Sequence, residues 1–134
     1  MSNVVSEEPI PRRARRVLVV EDNPVNRKVA VRMLEKLGCQ VDVATNGKLA
    51  VEMTAHFSYE TIFMDCGMPV MDGYTATGEI RLRQPAGLRV PIVALTAHAV
   101  GNAREECLAA GMDDYLAKPV KSGDLERALA KWCP

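Results

Sequence analysis

From about Arg16 onward the chain alternates between two rhythms of apolar and polar positions. Short unbroken apolar runs at 17–20 (VLVV), 61–64 (TIFM), 92–95 (IVAL) and 115–117 (YLA) predict buried strands. The stretch 41–44 (VDVA) alternates, as a strand less buried on one face does. Between these runs the apolar spacing becomes helical. Pro24 suits the first position of a helix that carries Val25, Val29, Met33, Leu34 and Leu37 on one side and stops at Gly38. Leu49, Ala50, Met53 and Phe57 form a second stripe. Val100, Ala103, Cys107 and Leu108 form another, and Leu125, Ala128, Leu129 and Trp132 the last. Residues 73–83 predict a weaker helix, because Gly78 costs about 1 kcal/mol relative to Ala. Strand and helix thus alternate five times, with no internal repeat or low-complexity tract. That pattern predicts a doubly wound α/β fold, a five-stranded parallel sheet with helices on both faces.

Composition adds mainly exclusions. A chain of 134 residues, 48% hydrophobic, is long enough for one well-filled core. Lys plus Arg and Asp plus Glu both number 17, so charge balance gives no support for nucleic acid or direct membrane contact. Cys39, Cys66, Cys107 and Cys133 lack CxxC spacing and a partnering His cluster, which argues against zinc and against a disulfide framework. They read as reduced thiols serving as small apolar residues. Residues 1–15 read as a flexible, basic, Pro-containing leader or linker and 16–133 as the folded domain. The leader lacks the apolar heart of a signal peptide, and no run reaches the roughly 18 residues of a membrane span. The expected location is the cytoplasm, even if a longer parent is membrane-attached.

In open parallel sheets ligands bind beyond the carboxyl ends of the strands. Here each run other than 41–44 delivers a polar group to that edge. Glu21 and Asp22 follow the first, Asp65 the run 61–64, Thr96 the run 92–95, and Lys118 and Pro119 the last. Three carboxylates brought together in a partly desolvated cleft repel one another and need a cation or protons. An all-oxygen set suits a hard ion, Mg²⁺ in particular. The lysine and the threonine hydroxyl suit a ligand with anionic oxygens. A carboxylate facing Mg²⁺, a lysine and a hydroxyl is a setting for phosphoryl transfer onto that carboxylate.

The segments VLVVEDNPVNR, MDCGMPVMDGY, PIVALTAHA and GMDDYLAKPV occur in order and at suitable spacing. Together they resemble the signature segments of response-regulator receiver domains, especially those of hybrid sensor histidine kinases. The resemblance implies a (βα)5 flavodoxin-like fold with strand order 2-1-3-4-5. It implies Asp65 as phosphoacceptor, and Glu21, Asp22, Asp65 and the Gly67 carbonyl as the Mg²⁺ site. Thr96 and Lys118 would contact the phosphoryl group, Tyr115 would be the aromatic that follows Thr96 on switching, and the Lys118–Pro119 peptide would be cis. The implied partner is a histidine kinase transmitter domain or a histidine phosphotransfer domain. Such a domain catalyses its own phosphorylation and dephosphorylation. With no output segment after Pro134, the expectation is either a stand-alone receiver or a piece of a longer kinase, and the hybrid-type motifs favour the piece.

Taken singly, each residue also has an ordinary role: Glu21 and Asp22 as helix N-terminal charges, Asp65 as a turn former, Thr96 as a cap, Lys118 as a surface charge and Tyr115 as a strand aromatic. Their joint occurrence at successive strand ends favours the functional reading. His56 and His98 lack companions at ligand spacing and read as surface or loop residues, and the RRARR stretch as a solvated linker. A receiver-like interaction module that works without phosphate has no need to hold the acidic set, Thr96 and Lys118 together. A phosphatase or nucleotide-binding enzyme would call for a DxD-type nucleophile motif, a Walker A loop or a GxGxxG loop, none of which is present. The resemblance also implies that Gly67 and His98 would border the path by which water reaches the phosphorus. A glycine can neither shield nor orient that water, so control of phosphoryl lifetime is expected to fall on His98.

Overall fold

A computed structural model describes residues 15–68, 71–85, 87–97 and 101–134. The strands are β1 (Arg15–Val20), β2 (Cys39–Ala44), β3 (Thr61–Asp65), β4 (Ile92–Thr96) and β5 (Asp114–Ala117). The helices are α1 (Pro24–Lys36), α2 (Gly47–His56), α3 (Gly73–Arg83), α4 (Ala103–Ala109) and α5 (Ser122–Trp132). All strand pairings are parallel and the order is β2-β1-β3-β4-β5, as expected.

Central strands β3 and β4 are buried along their whole length, which is why they read as apolar runs. Edge strand β2 is only half covered, which accounts for its alternation. Successive side chains point to opposite faces, so the sheet carries two cores. Leu18, Val20, Ile62, Met64 and Ala94 face one, closed by Ala50, Val51, Ala76, Ile80 and Cys107. Val17, Val19, Phe63, Val93 and Leu95 face the other, closed by Ala30, Leu34, Leu125, Ala128 and Leu129.

Local chemistry sets the helix starts. The Asn23 side chain accepts from the Val25 and Asn26 backbone N–H groups at 2.9 and 3.0 Å, with Pro24 at the first helical position. Asp72 accepts from the Thr75 N–H at 2.7 Å and opens α3, where Gly78 is accommodated within 73–83. Gly73, directly after that cap, is a close-approach position. A Cβ there would stand 2.3 Å from the Asp65 carbonyl oxygen, so only glycine lets α3 start against the end of β3.

Three predicted stripes need correction. On α1 the packed residues are Ala30 and Leu34, with Met33 and Leu37 beside them, whereas Val25 and Val29 are 68% and 44% exposed. Each helical step turns about 100°, and the Val25–Val29 row is offset from the Ala30–Leu34 row by enough to leave the contact. On α2, Leu49 and Phe57 are exposed and Val51 takes the buried place. On α4, Leu108 is exposed while Ala103 and Cys107 are buried, and Val100 lies outside the described residues. The α5 stripe holds, with Leu125, Ala128 and Leu129 buried and Trp132 against them.

Candidate functional site

The carboxyl ends of the strands assemble one cluster. Glu21 follows β1 and is buried, Asp65 ends β3 and is buried, Thr96 ends β4 and is buried, and Lys118 follows β5. The Lys118 ammonium stands 3.0 Å from Glu21 Oε1 and 3.0 Å from Asp65 Oδ1. Carboxylate oxygens of Glu21, Asp22 and Asp65 all lie within 4.8 Å of one another. The loop backbone orients them: the Asn23 N–H donates to Glu21 Oε2 at 3.2 Å, and the Gly67 N–H donates to Asp65 Oδ1 at 3.1 Å.

Lys118 is held by its own backbone as well, its N–H donating to the Thr96 carbonyl at 2.8 Å. The Lys118–Pro119 peptide is cis, as expected. Tyr115 pairs with Ala94 on β4, two residues before Thr96, and is half-buried against the core on the α2–α3 face. His98 lies outside the described residues, and His56 is exposed at the far end of α2.

One residue absent from the sequence-based set joins the cluster. The Arg27 guanidinium donates through Nη1 to the Glu21 carbonyl at 3.1 Å and the Asp22 carbonyl at 3.4 Å, clamping the loop that carries both carboxylates. Its spacing on the first turns of α1 was the available signal, since a helix starting at Pro24 turns its side chain back over that loop.

The electrostatics are those of too many carboxylates for one cation. Burial pushes the Glu21 carboxyl up to about 7, and its hydrogen bond with Asp65 adds to the rise. Burial works against the Lys118 ammonium, yet its contacts with Asp65 and Glu21 prevail and hold its pKa above the ordinary lysine value. A cation of higher charge would relieve this crowding. The donor atoms fit a hard divalent ion, since all are carboxylate oxygens and no imidazole or thiolate is among them.

The four cysteines, by contrast, take no part. All are free and buried, and burial raises each thiol, Cys66 to about 12. They act as the small apolar residues their spacing suggested.

Comparison with known proteins follows the same line. The chain is 45% identical over 116 residues to the hybrid signal transduction protein dokA of Dictyostelium discoideum, covering 87% of this chain and 7% of that protein. It therefore spans a small part of that relative. Among solved structures it resembles the receiver domain of a sensor histidine kinase of Pseudomonas aeruginosa, solved with a magnesium ion coordinated in the active site cleft. The TM-score is 0.82 at 51% identity, over 90% of this chain and 98% of that one. It also resembles the receiver domain of a Saccharomyces cerevisiae response regulator co-crystallised with a histidine phosphotransfer signaling protein. There the TM-score is 0.81 at 32% identity, over 89% and 88% of the two chains. Residues 17–130 match the family described as the response regulator receiver domain, and with the strand order and the strand-end cluster already in hand, this chain belongs to that family.

Proposed function

We propose that this domain is the phosphoacceptor of a two-component phosphorelay, taking a phosphoryl group from a phosphohistidine onto Asp65. The observation that carries the reading is the Lys118 ammonium, 3.0 Å from both Glu21 and Asp65, inside a cluster with more carboxylates than cations. Glu21, Asp22, Asp65 and the Gly67 carbonyl would hold Mg²⁺. When bound, the ion supplies neutralising charge to the phosphoryl oxygens.

The chain's own residues do the rest. An Asp65 oxygen forms the bond to phosphorus as the bond from phosphorus to the donor imidazole nitrogen breaks. That nitrogen keeps the electron pair and takes a proton from water. Lys118 exchanges its contact with Asp65 for one with the arriving anion, and its position between two strand ends keeps it within reach of both. Thr96 meets the phosphoryl group from β4, and Tyr115, one strand over, follows its shift and alters the face made by α4, β5 and α5. Arg27 positions the loop without touching the reacting atoms.

The donor is a histidine kinase transmitter or a histidine phosphotransfer domain, and the parent is a hybrid histidine kinase. The co-crystallised yeast pair supports a phosphotransfer donor, and the Pseudomonas receiver, part of a sensor histidine kinase, supports a kinase parent. Val25 and Val29, exposed on the first turns of α1 a few residues after Asp22, offer such a partner an apolar foothold beside the site. Among the described residues no helix is long and apolar enough to cross a membrane. Buried free thiols support a reducing, cytoplasmic setting.

The test is to weigh the protein after incubation with Mg²⁺ and a small acyl-phosphate donor. The parent is expected to gain one phosphoryl group and Asp65→Asn none. An undiminished gain in that variant overturns the assignment, and full uptake in excess chelator overturns the role of the ion.

A further inference from the structure

At the opposite edge of the sheet from Asp65, a groove of about 490 Å³ lies between the ends of α2 and α3. Its apolar wall includes Phe57, Leu88 and Pro91, and Phe57 and Leu88 are 49% and 65% exposed. Its charged lining is Arg83 and Arg89, with no carboxylate among the lining residues. Arg83 pairs with Glu79 at 3.3 Å and Arg89 shares Asp113 with Arg81, so three guanidiniums meet two carboxylates and one positive charge is in surplus at the wall. An occupant should therefore be both apolar and acidic.

The chain enters the fold at this rim. On β1 the Arg16 side chain lies on the face of Leu18 and Val20, and its guanidinium carbon is 5.3 Å from the Phe57 ring centroid and 5.7 Å from that of Tyr59, both groove residues. Its backbone N–H donates to the Glu60 carboxylate at 3.0 Å, tying the entry point to the same wall. Residues 1–14, which lie outside the described residues, read MSNVVSEEPIPRRA. Glu7 and Glu8 are the acidic residues of that stretch, flanked by Val4 and Val5 on one side and Pro9, Ile10 and Pro11 on the other, while its basic residues, Arg12 and Arg13, fall next to the entry point and outside the acidic part. Seven residue steps separate Glu8 from Arg15, a reach of about 23–25 Å when extended. Pro9 and Pro11 disfavour helix at Glu8 and Ile10, which suits a segment laid along a groove rather than coiled above it.

We propose that the leader of this chain folds back into the groove between α2 and α3, its Glu7 and Glu8 meeting Arg83 and Arg89 and its Ile10 meeting Phe57 and Leu88. Such docking would cover the two exposed apolar side chains and fix the direction from which the chain enters the domain, at the edge away from the phosphoacceptor. A preceding domain would then hang from the far side and leave the Asp65 edge open to a partner.

The experiment uses the full chain with Ser6→Cys carrying a nitroxide, the native thiols being buried. Amide signals of Leu88 and Arg89, groove residues between α3 and β4, are expected to lose most of their intensity at any protein concentration. The loss should be reversed by Glu7→Lys with Glu8→Lys, and separately by Arg83→Glu with Leu88→Asp, exposed positions that leave the remaining spectrum in place. Attenuation confined to the neighbourhood of Arg15 and Arg16 overturns the proposal, as does attenuation indifferent to both sets of substitutions. Attenuation that grows with concentration also overturns it, by assigning the groove to the leader of a second copy.

Discussion

Two charged clusters occupy opposite ends of the same sheet, and they are built from the same kinds of residue to opposite effect. At the amino end of β5, Asp113 is shared by two guanidiniums. Its Oδ2 accepts from Arg81 Nη2 at 2.8 Å and from the Ile92 N–H at 2.8 Å, and its Oδ1 accepts from Arg89 Nη2 at 2.9 Å and Nε at 3.2 Å. Arg81 spends its other donors on the Gly111, Val90 and Gln84 oxygens at 2.9, 2.6 and 3.0 Å. Both Asp113 oxygens and all three Arg81 guanidinium nitrogens are hydrogen-bonded there, and the one guanidinium in excess, Arg89, is at the exposed rim. At the carboxyl end one lysine stands between two buried carboxylates with a third close by, and Glu21 is pushed up to about 7 because burial and Asp65 both oppose its charge. A saturated cluster fastens elements together, whereas one left with excess charge is ready for a ligand that carries the missing charge. Charged residues alone do not tell the two apart; the count of partners does.

The widest separation between the clusters should appear when each is cut. Asp65→Asn removes all phosphoryl uptake yet relieves like-charge crowding, so its unfolding free energy is expected to equal or exceed the parent's. Arg81→Met should retain uptake while costing about 2 kcal/mol, since it leaves the largely buried Asp113 carboxylate to the exposed Arg89 and the Ile92 N–H and takes the Arg81 donor from the Val90 carbonyl. Urea unfolding followed by Trp132 fluorescence measures both. A destabilised Asp65→Asn, or an Arg81→Met as stable as the parent, would erase the distinction.

A smaller effect divides the site itself. Thr96→Ala is expected to gain the phosphoryl group to the same extent as the parent but to lose the accompanying spectral changes around Tyr115, which NMR of both phosphorylated proteins reports. Identical changes in the two would show that Thr96 does not carry the signal. Least of all, Gly67→Arg should leave fold and uptake unaltered, because a Cβ built there meets nothing within 4 Å. It should slow loss of phosphate several-fold by shielding the line along which water approaches. Decay after donor removal checks this, and an unchanged rate would mean that position 67 does not border that path. His98, to which the sequence assigns the larger share of that control, lies outside the described residues.

What the sequence determined by itself was whatever rests on neighbours along the chain. Apolar runs, helical stripes, Pro24 and Gly38 as helix bounds and the polar residue closing each central strand are local signals, and from them follow the alternation of strands and helices and the convergence of Glu21, Asp65, Thr96 and Lys118 on one edge. The strand order and the cis Lys118–Pro119 peptide were legible through family resemblance rather than periodicity. Tertiary structure alone decided how many partners each charge acquired. Arg81 and Asp113 are 32 positions apart and Arg89 and Asp113 are 24 apart, so no spacing rule links them, and their union depends on α3, β4 and β5 meeting at one corner. It also decided that α1 packs through Ala30 and Leu34 and leaves Val25 and Val29 outside, because a helix with apolar residues around much of its girth buries whichever row its neighbours can reach. Side-chain periodicity states which faces are available; the crossing of elements distant in sequence selects among them, because burial is gained only where two surfaces meet.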